Sequence, residues 1–275
     1  MEHSNIDLSH LAKRLNGNFK RLDLSQRLEL IGGLANHAVF TTSLGLEDQV
    51  LTWAIAMSKQ PIEVATLQTG RLFPESLSLL SDTKDRYQID IKEYYPEPEA
   101  LKDYVATHGQ DGFYDSVEAR KACCNVRKLK PLAAALRYAD VWVTGLRREQ
   151  SLDRSSIEFV EWDDDRGLLK VNPLADWTEV QIKEAVAANQ IPINPLHERG
   201  FPSIGCAPCT RAIRPGESER AGRWWWEQQD TRECGLHVGG DGGERGESSE
   251  RGESGEAVSS LHEAVQPEGE IHSHA

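Results

Sequence analysis

Residues 38–75, AVFTTSLGLEDQVLTWAIAMSKQPIEVATLQTGRLFPE, decide the fold. Ala38-Val39-Phe40-Thr41-Thr42 is a β-prone run ending in the polar turn Ser43-Leu44-Gly45. Leu46, Val50, Trp53, Ala54 and Met57 then recur at helical spacing and predict a helix with those residues on its core face. The unit repeats at once. Ile62–Leu67 is a second apolar strand, Gln68-Thr69-Gly70-Arg71 its turn, and Pro74 opens a helix with Leu77 and Leu80 facing inward, since proline is tolerated in a first helical turn. A third strand is predicted over Ile89–Tyr95, a helix over Glu97–His108, a long helix over 116–137 and a strand over Val141–Leu146. Strands alternating with helices predict an α/β fold: a mostly parallel sheet with helices on both faces.

The pattern changes on either side of this stretch. Residues 8–36 read as two short helices, so an N-terminal helical unit spans 1–37. Ile157–Trp162 and Leu168–Val171, separated by Asp-Asp-Asp-Arg-Gly, predict a β-hairpin. Thr178 and Gln181 form a capping box for a helix to Asn189, and Pro192, Pro195 and Pro202 forbid regular helix until beyond Cys209. Helix is expected again over 219–230. Successive helical residues turn by about 100°, so Trp224, Trp225 and Trp226 cannot share a face; two are expected to be packed and the third either exposed or covering a ligand or partner. Residues 238–275 are dominated by Gly, Glu and Ser and are predicted to be disordered.

Charge and composition narrow the function classes. The net charge of −13 is concentrated in the tail, where residues 238–275 carry nine acidic residues and two arginines. The remainder is mildly acidic and shows no overall basic surface for nucleic acid. No run approaches the length of a membrane span, and the N-terminal residues lack the apolar core of a secretory signal. Five cysteines, two of them adjacent, suit metal or reactive thiols in a reducing compartment, so a cytoplasmic location is expected.

Two turns sit where ligands bind in open parallel sheets, at the carboxyl ends of strands. The turn around Ser43 precedes a helix and offers hydroxyl and backbone N–H donors to an anion. The turn Thr69-Gly70-Arg71 adds a glycine and a guanidinium. Neither has the glycine spacing of a P-loop or a dinucleotide fingerprint. Cys206-x-x-Cys209 places two sulfurs at metal-ligand spacing, and Cys123-Cys124 could complete a four-thiolate site for zinc or an iron–sulfur cluster. The alternative reading of the adjacent pair is two small residues buried at a helix end, which would leave the Cys-x-x-Cys idle as well. Cys234 is left over in polar sequence, close to Arg211, Arg214, Arg220 and Arg223. Cations favour its thiolate, and arginine forks suit phosphate or sulfate.

Six motifs in order resemble the assimilatory sulfonucleotide reductases, in particular the cysteine-rich branch that reduces adenosine 5′-phosphosulfate (APS). They are Thr41-Thr-Ser-Leu-Gly-Leu-Glu-Asp48, Leu67-Gln-Thr-Gly-Arg-Leu-Phe-Pro-Glu75, Lys121-Ala-Cys-Cys-Asn-Val-Arg-Lys128, Thr144-Gly-Leu-Arg-Arg-Glu-Gln-Ser151, Ser203-Ile-Gly-Cys-Ala-Pro-Cys-Thr-Arg211 and Glu233-Cys-Gly-Leu-His237. The resemblance covers residues 38–237. It implies an adenine nucleotide α-hydrolase-like sheet and a mobile C-terminal catalytic segment over 225–237. It further implies a 4Fe-4S iron–sulfur cluster on Cys123, Cys124, Cys206 and Cys209, and a nucleophile at Cys234 that forms an S-sulfocysteine intermediate. Lys128 and His237 are implied beside the reaction. Ser43, Thr69, Gly70 and Arg71 are implied around the nucleotide, with Lys128, one of Arg147 and Arg148, Arg220 and Arg223 around the phosphosulfate. The implied reductant is thioredoxin or a similar dithiol; no nucleic-acid or membrane partner is implied, and a homo-oligomer is left open.

The motif Leu-Gln-Thr-Gly departs from the family's frequent Leu-Asp-Thr-Gly, so no carboxylate role transfers there. Three competing readings follow from the same residues. The first is the same reaction on the 3′-phosphorylated substrate (PAPS), against which the four cysteines weigh. The second is tRNA sulfur insertion, which would need an ATP loop and a basic surface. The third is a non-catalytic zinc or redox module in which Cys234 is incidental.

Overall fold

The computed structural model describes residues 8–151 and 154–227. Its centre is a six-stranded sheet in the order β3-β2-β1-β4-β6-β5. The strands are β1 (Ala38–Thr42), β2 (Ile62–Leu67), β3 (Ile91–Tyr94), β4 (Val141–Val143), β5 (Val160–Asp163) and β6 (Leu168–Val171). All pairings are parallel except β5 on β6, the expected hairpin. The helices are α1 (Leu8–Phe19), α2 (Leu24–Leu34), α3 (Leu46–Ser58), α4 (Pro74–Tyr87), α5 (Pro98–His108), α6 (Val117–Cys124), α7 (Lys130–Ala135) and α8 (Glu179–Asn189).

Successive strand residues point to opposite faces, and the sheet is buried on both. Ala38, Phe40, Val64, Val141 and Val143 pack with α1 to α4 and α8 in the main core. Val39, Ala65 and Trp142 pack on the other face with Leu132 and Ala135 of α7. A third cluster lies beside the sheet, where Tyr104 and Phe113 meet Cys123, Cys206, Cys209 and Trp224.

Several expectations are corrected. Met57 is 56% and Leu77 45% exposed. In α4 the inward face is Ser76, Leu79, Leu80 and Thr83. Two of these are polar and satisfied inside: Ser76 Oγ accepts from Asn194 at 2.9 Å and Thr83 Oγ1 from Gln49 at 2.9 Å. Hydrophobicity alone therefore misassigns that face. The helix predicted over 116–137 is interrupted by a π-helical turn at Asn125–Leu129. Residues 219–227 form turns in place of helix. Their backbone bonds are made to the Cys-x-x-Cys loop: Arg211 N–H donates to the Gly222 carbonyl at 2.9 Å and Trp224 N–H to the Cys209 carbonyl at 3.1 Å. A Cβ on Gly222 would stand 2.2 Å from the Arg211 carbonyl oxygen, so this crossing requires glycine. Trp224 is buried and Trp225 is 37% exposed, as expected of that trio despite the different backbone. The tail expected to be disordered and the rest of the segment expected to be mobile lie outside the described residues.

The N-terminal helices are tied in by a buried arginine. Arg27 binds both Asp176 carboxylate oxygens at 2.7 and 2.9 Å and donates to the Phe19 and Pro173 carbonyls. Arg27→Ala leaves these acceptors without their donor and is expected to cost about 3 kcal/mol, measured as a lowered urea midpoint at unchanged slope.

Candidate active site

β1 is flanked by β2 on one side and β4 on the other, so the chain's crossovers diverge there and leave a crevice at the strands' carboxyl ends. The crevice is a cleft of about 230 Å³ lined by the turns after β1, β2 and β4 and by residues 202–206 and 219–224. In the β1 turn, Leu44 holds φ 63 and its N–H donates to Thr42 Oγ1 at 3.0 Å. Such strained conformations persist where the surroundings over-determine them. Ser43 donates both its N–H and its hydroxyl to Asp48 Oδ2, each at 2.6 Å. Asp48 is packed so closely under the β4 turn that a Cβ on Gly145 would stand 2.1 Å from its Oδ1. Burial raises the Asp48 carboxyl to about 6, against the lowering effect of the Ser43 bonds.

The β2 turn joins this cleft to the cysteines. Gly70 takes φ 70, and Arg127 Nη1 donates to the Thr69 carbonyl at 2.6 Å. The Cys206 thiol donates to Thr69 Oγ1 at 3.3 Å, and Ala207 N–H donates to the Arg71 carbonyl at 2.7 Å. Thr69 therefore lines the cleft, whereas the Arg71 side chain turns to the cysteine side and pairs with Asp111 at 3.0 Å.

Cys123, Cys124, Cys206 and Cys209 are all buried and unbridged, and all four line one small cavity between α6 and the loop after Gly205. Arg120, Arg127 and Lys128 line it too. Lys128, Cys206 and Trp224 line both this cavity and the cleft. Burial pushes the Cys123 thiol up and the Cys209 thiol up to about 12. The residues fit a cluster on two observations. Four thiols among cations are a thiolate-metal donor set. One buried donor on the cavity wall, Trp224 Nε1, has no hydrogen-bond partner.

Of the residues expected around the substrate, Ser43, Thr69, Lys128, Arg220 and Arg223 line the cleft. Gly70 shapes a turn without lining it. Arg147 is buried beneath the cleft and pairs with Glu47 at 2.7 Å, and Arg148 Nε donates to the Ile157 carbonyl at 2.7 Å. Neither lines the cleft, because the β4 turn directs both into the scaffold. Cys234 and His237 lie outside the described residues. The motif reading overlooked Asp48, Arg154, His197 and Glu219 on the cleft wall. Asp48 and Arg154 stand in or beside quoted motifs, but their inward orientation depends on packing.

The folded-state pKa of Asp48, raised above the usual carboxylate value, means the native state binds more protons than the unfolded state between about pH 4 and 6. Its contribution to stability is present below that window and is lost as pH rises through about 6. Asp48→Asn should remove this slope, so the variant's stability relative to the parent rises between about pH 4 and 6, read by urea unfolding at each pH.

Residues 37–212 match the family model of the phosphoadenosine phosphosulfate reductase domain. A protein of Sinorhizobium fredii (strain USDA 257) called adenosine 5′-phosphosulfate reductase is 61% identical over 227 residues, 82% of this chain and 90% of its own length. A protein of the same name from Allochromatium vinosum is 55% identical over 72% of this chain and 78% of its own. The crystal structure of a phosphoadenylyl-sulfate reductase from Candida auris superposes with a TM-score of 0.65 at 22% identity, covering 78% of this chain and 99% of that one, and shares the fold. With the cleft and the cysteine cavity set on this sheet, the chain belongs to the sulfonucleotide reductase family, among its adenosine 5′-phosphosulfate reductases.

Proposed function

We propose that the protein is an oxidoreductase of sulfate assimilation that reduces APS to sulfite and AMP, with a dithiol protein such as thioredoxin as reductant. The observation that carries this reading is the shared wall. Lys128 and Cys206 face the cysteine cavity and the nucleotide cleft at once, with Arg220 and Arg223 on the cleft.

The nucleotide would lie in the cleft with its phosphosulfate towards Lys128, Arg220 and Arg223. The Cys234 thiolate attacks the sulfate sulfur. The bond from that sulfur to the bridging oxygen breaks, AMP departs with the electron pair, and the sulfo group remains on Cys234. The cations stabilise the charge that develops on AMP, where a site screened from water makes them most effective. One thiolate of the reductant then attacks Cys234 Sγ and sulfite leaves; the reductant's second thiol resolves the mixed disulfide and regenerates Cys234. The two electrons come from the dithiol. Cys123, Cys124, Cys206 and Cys209 would hold a 4Fe-4S cluster, whose contribution when bound is fixed negative charge and a rigid brace beside Lys128. His237, three residues after Cys234, is assigned to the neighbourhood of the reacting thiol.

Sulfite release from APS and from PAPS, measured side by side with thioredoxin, tests the reading; preference for PAPS would move the substrate assignment. Cys234→Ser should keep the cluster's visible absorption yet form no sulfo-adduct by mass spectrometry. Lys128→Ala should lower turnover at least tenfold with the absorption intact. Iron and sulfide analysis showing zinc in their place would overturn the cofactor assignment.

A further inference from the structure

The helical stretch that carries Cys123, Cys124 and Lys128 contains a buried proline that the chemistry above does not use. α6, the π-helical turn and α7 run on without a break, since Asn125, Leu129 and Lys130 all keep right-handed helical dihedrals. Pro131 therefore stands inside a helix, seven residues after Cys124. In an α-helical register its nitrogen would face the Arg127 carbonyl. It has no N–H to give that carbonyl, and its ring would clash with it. The observed register avoids the conflict: Lys130 N–H donates to the Asn125 carbonyl, five residues back instead of four.

The wide turn sets which side chains face inward on either side of it. Buried pairs recur four residues apart at Ala119–Arg120 and Cys123–Cys124, and again at Pro131–Leu132 and Ala135–Leu136. From the buried pair Val126–Arg127 the step to Pro131–Leu132 is five residues. Two turns of α-helix take about 7.2 residues, whereas Cys123–Cys124 and Pro131–Leu132 are eight apart. An uninterrupted α-helix would put one pair about 80° out of step with the other. The wide turn thus lets the cysteines face their cavity while Leu132 and Ala135 face the sheet. Lys128 lies on that turn, on the wall of both cavity and cleft, and Arg127 beside it reaches the Thr69 carbonyl at 2.6 Å.

We propose that Pro131 is a positioning residue for Lys128, holding open the wide turn that aims this lysine at the phosphosulfate. The inference rests on the role in the reaction proposed for Lys128. Alanine at this position supplies an N–H for the Arg127 carbonyl and removes the ring's clash. The α-helical register then becomes the better local choice, and the wide turn closes or moves. A shift of about 1 Å in a group that stabilises a transition state is enough to slow the reaction severely.

The test measures sulfite release from APS with thioredoxin, together with urea unfolding and visible absorption. It compares the parent, Pro131→Ala, Lys128→Ala and the double variant. The expected result is that Pro131→Ala lowers turnover about fivefold or more with absorption unchanged. Its urea midpoint should be no lower than the parent's, because alanine is the better helix former. In the Lys128→Ala background the same substitution should lower turnover by less than about twofold, since residues that act through one another are not additive. Unchanged turnover in Pro131→Ala overturns the proposal. A loss of the same size in the Lys128→Ala background overturns it too, because Pro131 would then act through something else. So does a midpoint that falls together with turnover and absorption, which would make the proline a general support. A parent that releases no sulfite from APS overturns the functional reading itself, which separates the two failures.

Discussion

The turn after β2 is held from the cysteine side by three bonds: Arg127 to the Thr69 carbonyl, Cys206 to the Thr69 hydroxyl and Ala207 to the Arg71 carbonyl. Thr69 is thus a cleft residue whose conformation is set by groups on the cysteine cavity. Any shift of Cys206 moves the cleft wall, and any shift of the β2 turn moves a cysteine. The cleft and the cavity are mechanically one object, although α6 and the Cys-x-x-Cys loop are some 80 residues apart in sequence.

Electrostatics gives the same junction its chemical character. Arg71, Arg120, Arg127 and Lys128 line the cavity together with four buried thiols. Desolvation opposes thiolates there, as the raised Cys123 and Cys209 thiols show. Arg71 and Arg120 are paired with Asp111 and Glu227, and the positive charge of Arg127 and Lys128 suits the anionic cluster and phosphosulfate proposed above. Lys128 lines both the cavity and the cleft. It is carried on the π-helical turn at Asn125–Leu129, an irregularity often found at functional sites.

Much of the architecture was legible in residues 38–75 because strand and helix periods differ and the turns between them are polar and short. β1, β2 and β6 match the predicted spans closely. The errors have physical causes. Ser76 and Thr83 are buried because Asn194 and Gln49, distant in sequence, satisfy their hydroxyls, and no local pattern announces that. The segment after Gly216 has helical composition, yet the Cys-x-x-Cys loop offers its backbone better partners, so it bends into turns. Among the arginines, the sequence could not separate those facing the cleft from Arg147, which Glu47 draws beneath it.

From its sequence alone the chain determined the alternating α/β pattern, the positions of the two ligand turns, the odd number of cysteines and the family motifs, because all of these are local in the chain. Tertiary structure decided which side chains share a wall. The meeting of Thr69, Lys128 and Cys206, the burial of Asp48 under Gly145 and the grip of Arg120 on Glu227 each join distant residues. Pairing of that kind depends on how the sheet brings its carboxyl ends together, and no spacing along the chain encodes it.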